Sequence, residues 1–242
     1  MSGTAVFIPA WNEEENLPAV LDGLRERLPD VDVLVVDDGS TDRTAVVARE
    51  HGAEVLSLGT NQGLRIGIAV GYRWALERGY SFCGRVDADG QHPAAELARL
   101  LERVRRDECD VAVGSRFVSG DGYAPYRYRP SAARRLGTGI LRRSVGVVLR
   151  RPFGDATSGL YAVNAKALPL LARPYTSGAP EVEALIRLVA AGLRVDEVPV
   201  DMAPRAAGES KLRGSKALKL VLTVIATLGL ALFARRRQRP AA

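Results

Sequence analysis

Cysteine is nearly absent from this 242-residue chain: Cys83 and Cys109 are the only two, far apart, inside apolar runs and without C-x-x-C spacing. That excludes a disulfide framework and predicts two reduced core thiols in a cytoplasmic protein. Long apolar runs are scarce too. The first, Ala5 to Ala10, is short and is broken by Pro9 and Trp11, so no N-terminal signal peptide is expected. The net charge is +6, yet no helix-turn-helix, zinc-finger or RNP pattern accompanies it, so nucleic acid is not an expected partner.

What is present is an ordinary globular composition, 47% hydrophobic and 26% charged, in a length that suits one α/β domain. Strand signals at Val6–Ile8, Val33–Val36, Val55–Leu58, Phe82–Val86 and Val111–Val113 alternate with helix signals. The helices are expected over Glu13–Leu28 (capped by Asn12), from Ser40 or Thr41 to Glu50, over Gly63–Arg78, and from Pro93 to Arg106. This alternation predicts an α/β fold, a mainly parallel sheet flanked by helices. Ligands of such sheets lie outside the carboxyl ends of the strands. Pro9–Asn12, Asp37–Ser40, Asp87–Gln91 and Gly114–Arg116 all fall there.

Charge is uneven. Carboxylates such as Glu13–Glu15, Asp37, Asp38 and Asp42 crowd the first half, and most of the excess Arg and Lys lies between Arg116 and Arg239. Phosphates or a membrane surface are the partners such a half would attract. Arg134 to Arg151 carries three arginine pairs; at 100° per residue Arg135 nearly overlies Arg142, giving a basic face opposite an apolar one. That face is either solvated or laid against anionic groups. Leu220–Ala234 is fifteen residues without a charge, flanked by Lys216, Lys219 and Arg235–Arg237. As a helix it spans ~22 Å, short of the ~30 Å hydrocarbon core. It lies in the interface, docks on a partner, spans with distortion or joins the core. In the membrane cases its basic tail stays cytoplasmic. The chain is thus expected to divide into a 1–212 catalytic domain and a 213–242 associating segment.

The chemistry-bearing motifs follow the strands. Asp87-Ala88-Asp89-Gly90-Gln91 offers two carboxylates and an amide oxygen, hard ligands suited to Mg²⁺ or Mn²⁺ together with phosphate oxygens and water. Asp37 and Asp38 can accept hydrogen bonds from a ribose or base, or one of them caps the next helix. Trp11 could lie near a base. Gly63, Gly67 and Gly71 let a helix approach either a nucleotide or the sheet.

Together these motifs resemble the family 2 glycosyltransferases of the A-type nucleotide-sugar fold, from Ala5 to about Lys211. The match runs through Ile8–Glu13, Val36–Asp42, Asn61-Gln62-Gly63, Asp87–Pro93 and Gly114–Phe117. Asp155-Ala156-Thr157-Ser158-Gly159 and Arg205–Lys211 are similar to the dolichol- or polyprenyl-phosphate branch, from which the chain departs at Leu64-Arg65-Ile66 and at Leu160, where Phe is typical. The resemblance implies a nucleotide-sugar donor held by Pro9, Trp11, Glu13, Asp37, Asp38, Asn61, Gly63, Asp87 and Ala88. Asp87, Asp89 and Gln91 would hold the metal. A lipid-phosphate acceptor would meet Arg116, Arg134, Arg135, Ser158, Glu181 and Glu183. Asp89, Arg116, Asp155, Arg205 and Lys211 would act in catalysis, an in-line displacement with inversion at the anomeric carbon. The implied setting is the cytoplasmic face of the membrane, alone, with a small membrane-protein partner, or as a homo-oligomer.

A phosphate acceptor is already anionic and needs no strong base. A glycan hydroxyl does, and then Asp155, Glu181 or Glu183 are the candidates. A non-catalytic nucleotide-sugar-binding protein is a further alternative. A nucleotidyltransferase is disfavoured by Pro9-Ala10-Trp11-Asn12 where a Gly-rich basic loop would stand.

Overall fold

A computed structural model describes residues 3–120, 123, 146 and 152–203. The arginine-paired segment with Arg134 and Arg135, the Arg205–Lys211 motif, and the 213–242 segment with its apolar run lie outside the described residues.

The elements run β1 (Thr4–Ala10), α1 (Leu17–Arg27), β2 (Asp32–Asp37), α2 (Thr44–Glu50), β3 (Glu54–Ser57), α3 (Leu64–Glu77), β4 (Phe82–Arg85), α4 (Ala94–Arg105), β5 (Val111–Ser115), β6 (Tyr161–Asn164), α5 (Leu168–Leu171), α6 (Pro180–Ala190) and β7 (Val195–Pro199). They build one seven-stranded sheet of order β3-β2-β1-β4-β6-β5-β7. β6 pairs antiparallel with both β4 and β5, and every other pairing is parallel. The expected mainly parallel sheet is present, with one antiparallel strand inserted.

β1 is buried at all seven positions, as a strand covered on both faces must be. Its alternation splits the core: Ala5 and Phe7 join the cluster with Tyr72, Tyr161 and Leu185, whereas Val6 and Ile8 join the one with Leu21, Leu97 and Leu100. So α3, α5 and α6 cover one face, and α1 and α4 the other. Cys83 and Cys109 are free and buried in these layers, as expected.

Two helix starts differ from expectation. Asn12 has φ 53° and caps nothing; α1 begins at Leu17, after Asn16. The Asn12 amide N–H donates to Ser40 Oγ and its side-chain oxygen accepts from the Thr41 N–H at 2.8 Å. α2 begins at Thr44, and it is Asp42, not Ser40 or Thr41, whose carboxylate takes the Thr44 N–H at 2.9 Å. Both residues are used to lace the loop after β1 to the loop after β2, and each helix starts three or four residues late as a result.

Glycine sets the closest approach in the sheet. A Cβ on Gly71 of α3 would stand 2.1 Å from the Phe7 ring, and one on Gly67 would stand 3.3 Å from Pro9 Cβ. Of the two alternatives for this glycine series, these two positions bring the helix to the sheet.

Candidate active site

Strand order reverses at β1: the chain steps from β1 to β2 and β3 on one side, then β4 returns to the other. A crevice opens at the carboxyl ends beside such a switch point. Trp11, Asp37–Gly39 and Asp87–Gln91 stand at or just beyond the carboxyl ends of the neighbouring strands β1, β2 and β4, so the motifs lie at one edge of the sheet, as expected from the sequence.

The Asp37 and Asp38 carboxylates shape one wall. Asp37 accepts from the Ser40 N–H at 3.0 Å and from the Ser57 hydroxyl at 2.9 Å. Asp38 accepts from the Gln62 and Gly63 N–H groups at 2.7 and 2.8 Å. Both side chains are thus buried on neutral donors, and neither caps α2. Gly39 permits this. Its φ is +67°, and a Cβ there would lie 2.4 Å from the Thr60 carbonyl carbon. Pro9 is buried, Trp11 is 38% exposed at the rim, and Asn61 is exposed. Glu13 accepts from the Asn16 side-chain amide at 2.8 Å.

The Asp87–Gln91 turn forms the other wall. The Asp87 side chain keeps about a third of its surface exposed (34%), with Oδ1 3.2 Å from Arg85 Nη2 and Oδ2 3.5 Å from His92 Nε2. Burial alone would raise its carboxyl, but the adjacent guanidinium and the ring outweigh that and hold it well below the usual carboxylate range. Asp89 is 8% exposed and its Oδ1 accepts the Gln91 N–H at 3.1 Å; Gly90 turns the chain between them at φ +73°. Ala88 is buried. Gly159 passes so close that a Cβ would stand 2.0 Å from Asp87 Oδ2.

These groups fit a divalent cation. They are an ionised, partly open carboxylate, a second carboxylate two residues on and a neighbouring amide. Among the described residues no three His, Cys, Asp or Glu side chains cluster as a metal cage. The donor set therefore suits Mg²⁺ or Mn²⁺ shared with phosphate oxygens and water, not a metal held by protein alone.

The described groups assigned to the acceptor side are already paired. Arg116 forks onto Asp155, Nε to Oδ2 at 2.6 Å and Nη2 to Oδ1 at 2.8 Å, with the Asp155 side chain 1% exposed. Ser158 is buried and its hydroxyl accepts the Leu160 N–H. Glu181 accepts from Arg85 at 3.0 Å. Glu183 takes the Thr176 and Ser177 N–H groups and pairs with Arg187; burial would raise its carboxyl, but these donors hold it below its usual value. Both glutamates stand in the first turn of α6, where negative charge is favoured. Asp155, Glu181 and Glu183 are thus each paired with an arginine.

Three groups escaped the sequence reading. Arg85 and His92 contact Asp87, and Glu197 of β7 accepts the Gly154 and Asp155 N–H groups at 2.7 and 2.6 Å, fixing the loop that holds Arg116. Arg85 carried a signal: a charged residue in an otherwise apolar central strand must have a partner. Glu197 had none, because an acid on a short edge strand usually faces water. A separate cavity of about 480 Å³ lies at the amino ends of β2 and β3, away from every motif; of its charged groups, Arg78 pairs with Glu54 and Tyr80 donates to Asp32.

The sequence profile described as glycosyl transferase family 2 matches residues 5–159. An undecaprenyl-phosphate mannosyltransferase of Micrococcus luteus is 36% identical over 226 residues, 90% of each chain. A polyprenol monophosphomannose synthase of Mycolicibacterium smegmatis is 34% identical over 88% of this chain and 82% of its own. Among solved structures, glucosyl-3-phosphoglycerate synthase of Mycobacterium tuberculosis, in complex with Mn²⁺ and UDP, superposes with a TM-score of 0.66. It is 24% identical, over 94% of this chain and 79% of that one, and shares the fold. By the profile match and by these relatives, the chain belongs to glycosyl transferase family 2.

Proposed function

We propose that this protein transfers a hexose, with inversion, from a nucleotide-diphosphate sugar to a polyprenyl phosphate at the cytoplasmic face of the membrane. The observation that carries the acceptor half is the pairing of Asp155, Glu181 and Glu183: each carboxylate is bonded to an arginine, and Asp155 and Glu183 to backbone N–H groups besides. A hydroxyl acceptor requires a base to remove its proton; a phosphate monoester is anionic already and attacks unaided. The names of the two bacterial relatives, both mannosyl transferases to polyprenyl carriers, agree, and make GDP-mannose the first donor to test.

Pro9, Trp11 and Glu13 border the nucleotide, and Asp37 and Asp38 fix the wall against which its ribose rests. Asn61 and Gly63 line the entrance, with Ala88 beneath. Asp87, Asp89 and Gln91 hold Mg²⁺ or Mn²⁺ with the donor diphosphate; the cation supplies neutralisation of the charge that grows on the leaving oxygen. Arg116, placed by Asp155, borders the acceptor side, and Ser158 supports the turn beneath it. Arg134, Arg135, Arg205 and Lys211 are assigned to the two phosphates by resemblance alone. No described helix is long and apolar enough to cross a membrane; the 213–242 segment, with its apolar run and basic tail, is the part assigned to the membrane surface or a membrane-protein partner.

The test is a transfer assay with radiolabelled GDP-mannose, UDP-glucose and UDP-GlcNAc, polyprenyl phosphate and Mn²⁺. Label from GDP-mannose is expected to partition into organic solvent and to be released by mild acid. Label that stays in a water-soluble glycan would overturn the lipid-carrier reading.

A further inference from the structure

Arg85 is an unusual tenant of a central strand. It closes β4, two residues before Asp87, and the two side chains meet. Its side chain is 3% exposed and bridges Asp87 Oδ1 at 3.2 Å and Glu181 Oε1 at 3.0 Å. Tyr72, Tyr161 and Tyr175 are close enough to feel its charge, and its Nε is buried without a partner. A guanidinium in such surroundings costs folding free energy that an apolar side chain would not. Packing does not account for it.

Charge does. Asp87 and Asp89 present two negative charges to the crevice, Glu181 adds a third from α6, and Arg85 removes one. We propose that Arg85 and Glu181 form a positioning pair beneath the metal ligands: Arg85 steers Asp87 by one oxygen and lowers the site's pull on a bare cation, and Glu181 limits that reduction. The inference rests on the reading of Asp87 and Asp89 as metal ligands.

The pair predicts effects of opposite sign, which a purely structural role does not. Glu181→Gln leaves Arg85 uncompensated and weakens cation capture. Arg85→Gln leaves Glu181 uncompensated and strengthens it. The double variant returns toward the parent; it leaves Asp87 with His92 as its remaining charged neighbour, whereas Glu181→Gln leaves the Arg85–Asp87 pair intact. The measurement is Mn²⁺ binding followed by loss of the free-ion electron paramagnetic resonance signal, without nucleotide and with UDP or GDP. Glu181→Gln should raise the Mn²⁺ Kd with nucleotide about tenfold, a size expected of one nearby charge acting on a divalent ion through a screened interior. The double variant should recover to within about threefold of the parent, and Arg85→Gln should bind bare Mn²⁺ about tenfold more tightly. A double variant as weak as Glu181→Gln overturns the pair, whether or not Arg85→Gln folds. Should the unsubstituted protein bind no more Mn²⁺ than Asp89→Ala with either nucleotide, the metal reading fails first and takes the pair with it.

Discussion

The crevice has two acidic walls that look alike in sequence and are built differently. After β2, Asp37 and Asp38 are buried on four neutral donors: the backbone N–H groups of Ser40, Gln62 and Gly63, and the Ser57 hydroxyl. After β4, Asp87 faces a guanidinium and an imidazole and keeps about a third of its side chain exposed. Neutral amides fix a carboxylate and define the shape of a loop; charged neighbours and an open side keep one ionised and able to take a ligand. Substitutions on the first wall should therefore act on stability and those on the second on turnover, Asp89 included: it is buried and accepts one N–H, but its place two residues from Asp87 assigns it to the metal.

The largest separation is expected at Asp89. Asp89→Ala removes one metal ligand and should lower kcat by about a thousandfold, the scale of several kcal/mol of lost charge stabilisation, while thermal unfolding stays within a few degrees of the parent. A variant with near-parental transfer of label would sink the metal assignment.

On the first wall Gly39→Ala is the sharpest probe. The added Cβ would meet the Thr60 backbone at 2.4 Å, in a residue with φ +67°, and strain plus displacement should cost about 3 kcal/mol. Gly90→Ala has a similar φ, +73°, but nothing within 4 Å of the new Cβ, so only the backbone term of about 1 kcal/mol remains. Equal losses in urea unfolding would mean that the wall between Gly39 and Thr60 yields. Asp38→Asn comes next. One carboxylate oxygen becomes an NH₂ that cannot accept, so either the Gln62 or the Gly63 N–H is left unpaired, at about 2 kcal/mol, with a matching fall in urea midpoint.

The same contrast explains what could be read from sequence. Five strands and the gathering of motifs at one edge follow from local patterns, because each strand is a short apolar run ending in its own polar turn. β6 was not legible: Tyr161–Asn164 is four residues, and antiparallel insertion between β4 and β5 depends on partners distant in the chain. The late starts of α1 and α2 were hidden for a related reason. Asn12 and Asp42 are ordinary capping residues by type, and only the approach of the two loops shows that they lace the loop after β1 to the loop after β2. Arg85 and Glu181 stand 96 residues apart, so no window along the chain could have paired them.

The smallest expected effect concerns Glu183, which sits on the acceptor side but resembles the first wall in how it is held. It accepts N–H groups from Thr176 and Ser177 ahead of α6 and pairs with Arg187 one turn on, tying the preceding loop to the helix by bonds worth about 1 kcal/mol. Its carboxyl is held below the usual value of 4.5. A depressed carboxyl contributes stability that is fully present above its unfolded-state pKa and is lost as pH falls through the lower folded-state value. Parental stability should accordingly drop as pH is taken down from about 4.5, and Glu183→Gln should be less stable at neutral pH with a shallower fall over that range. Because Glu183 has its donors and its arginine, turnover at neutral pH should change less than twofold. A large loss of kcat with stability intact would instead make Glu183 a ligand of the acceptor, and the division between shaping and acting carboxylates would no longer follow from what each one is bonded to.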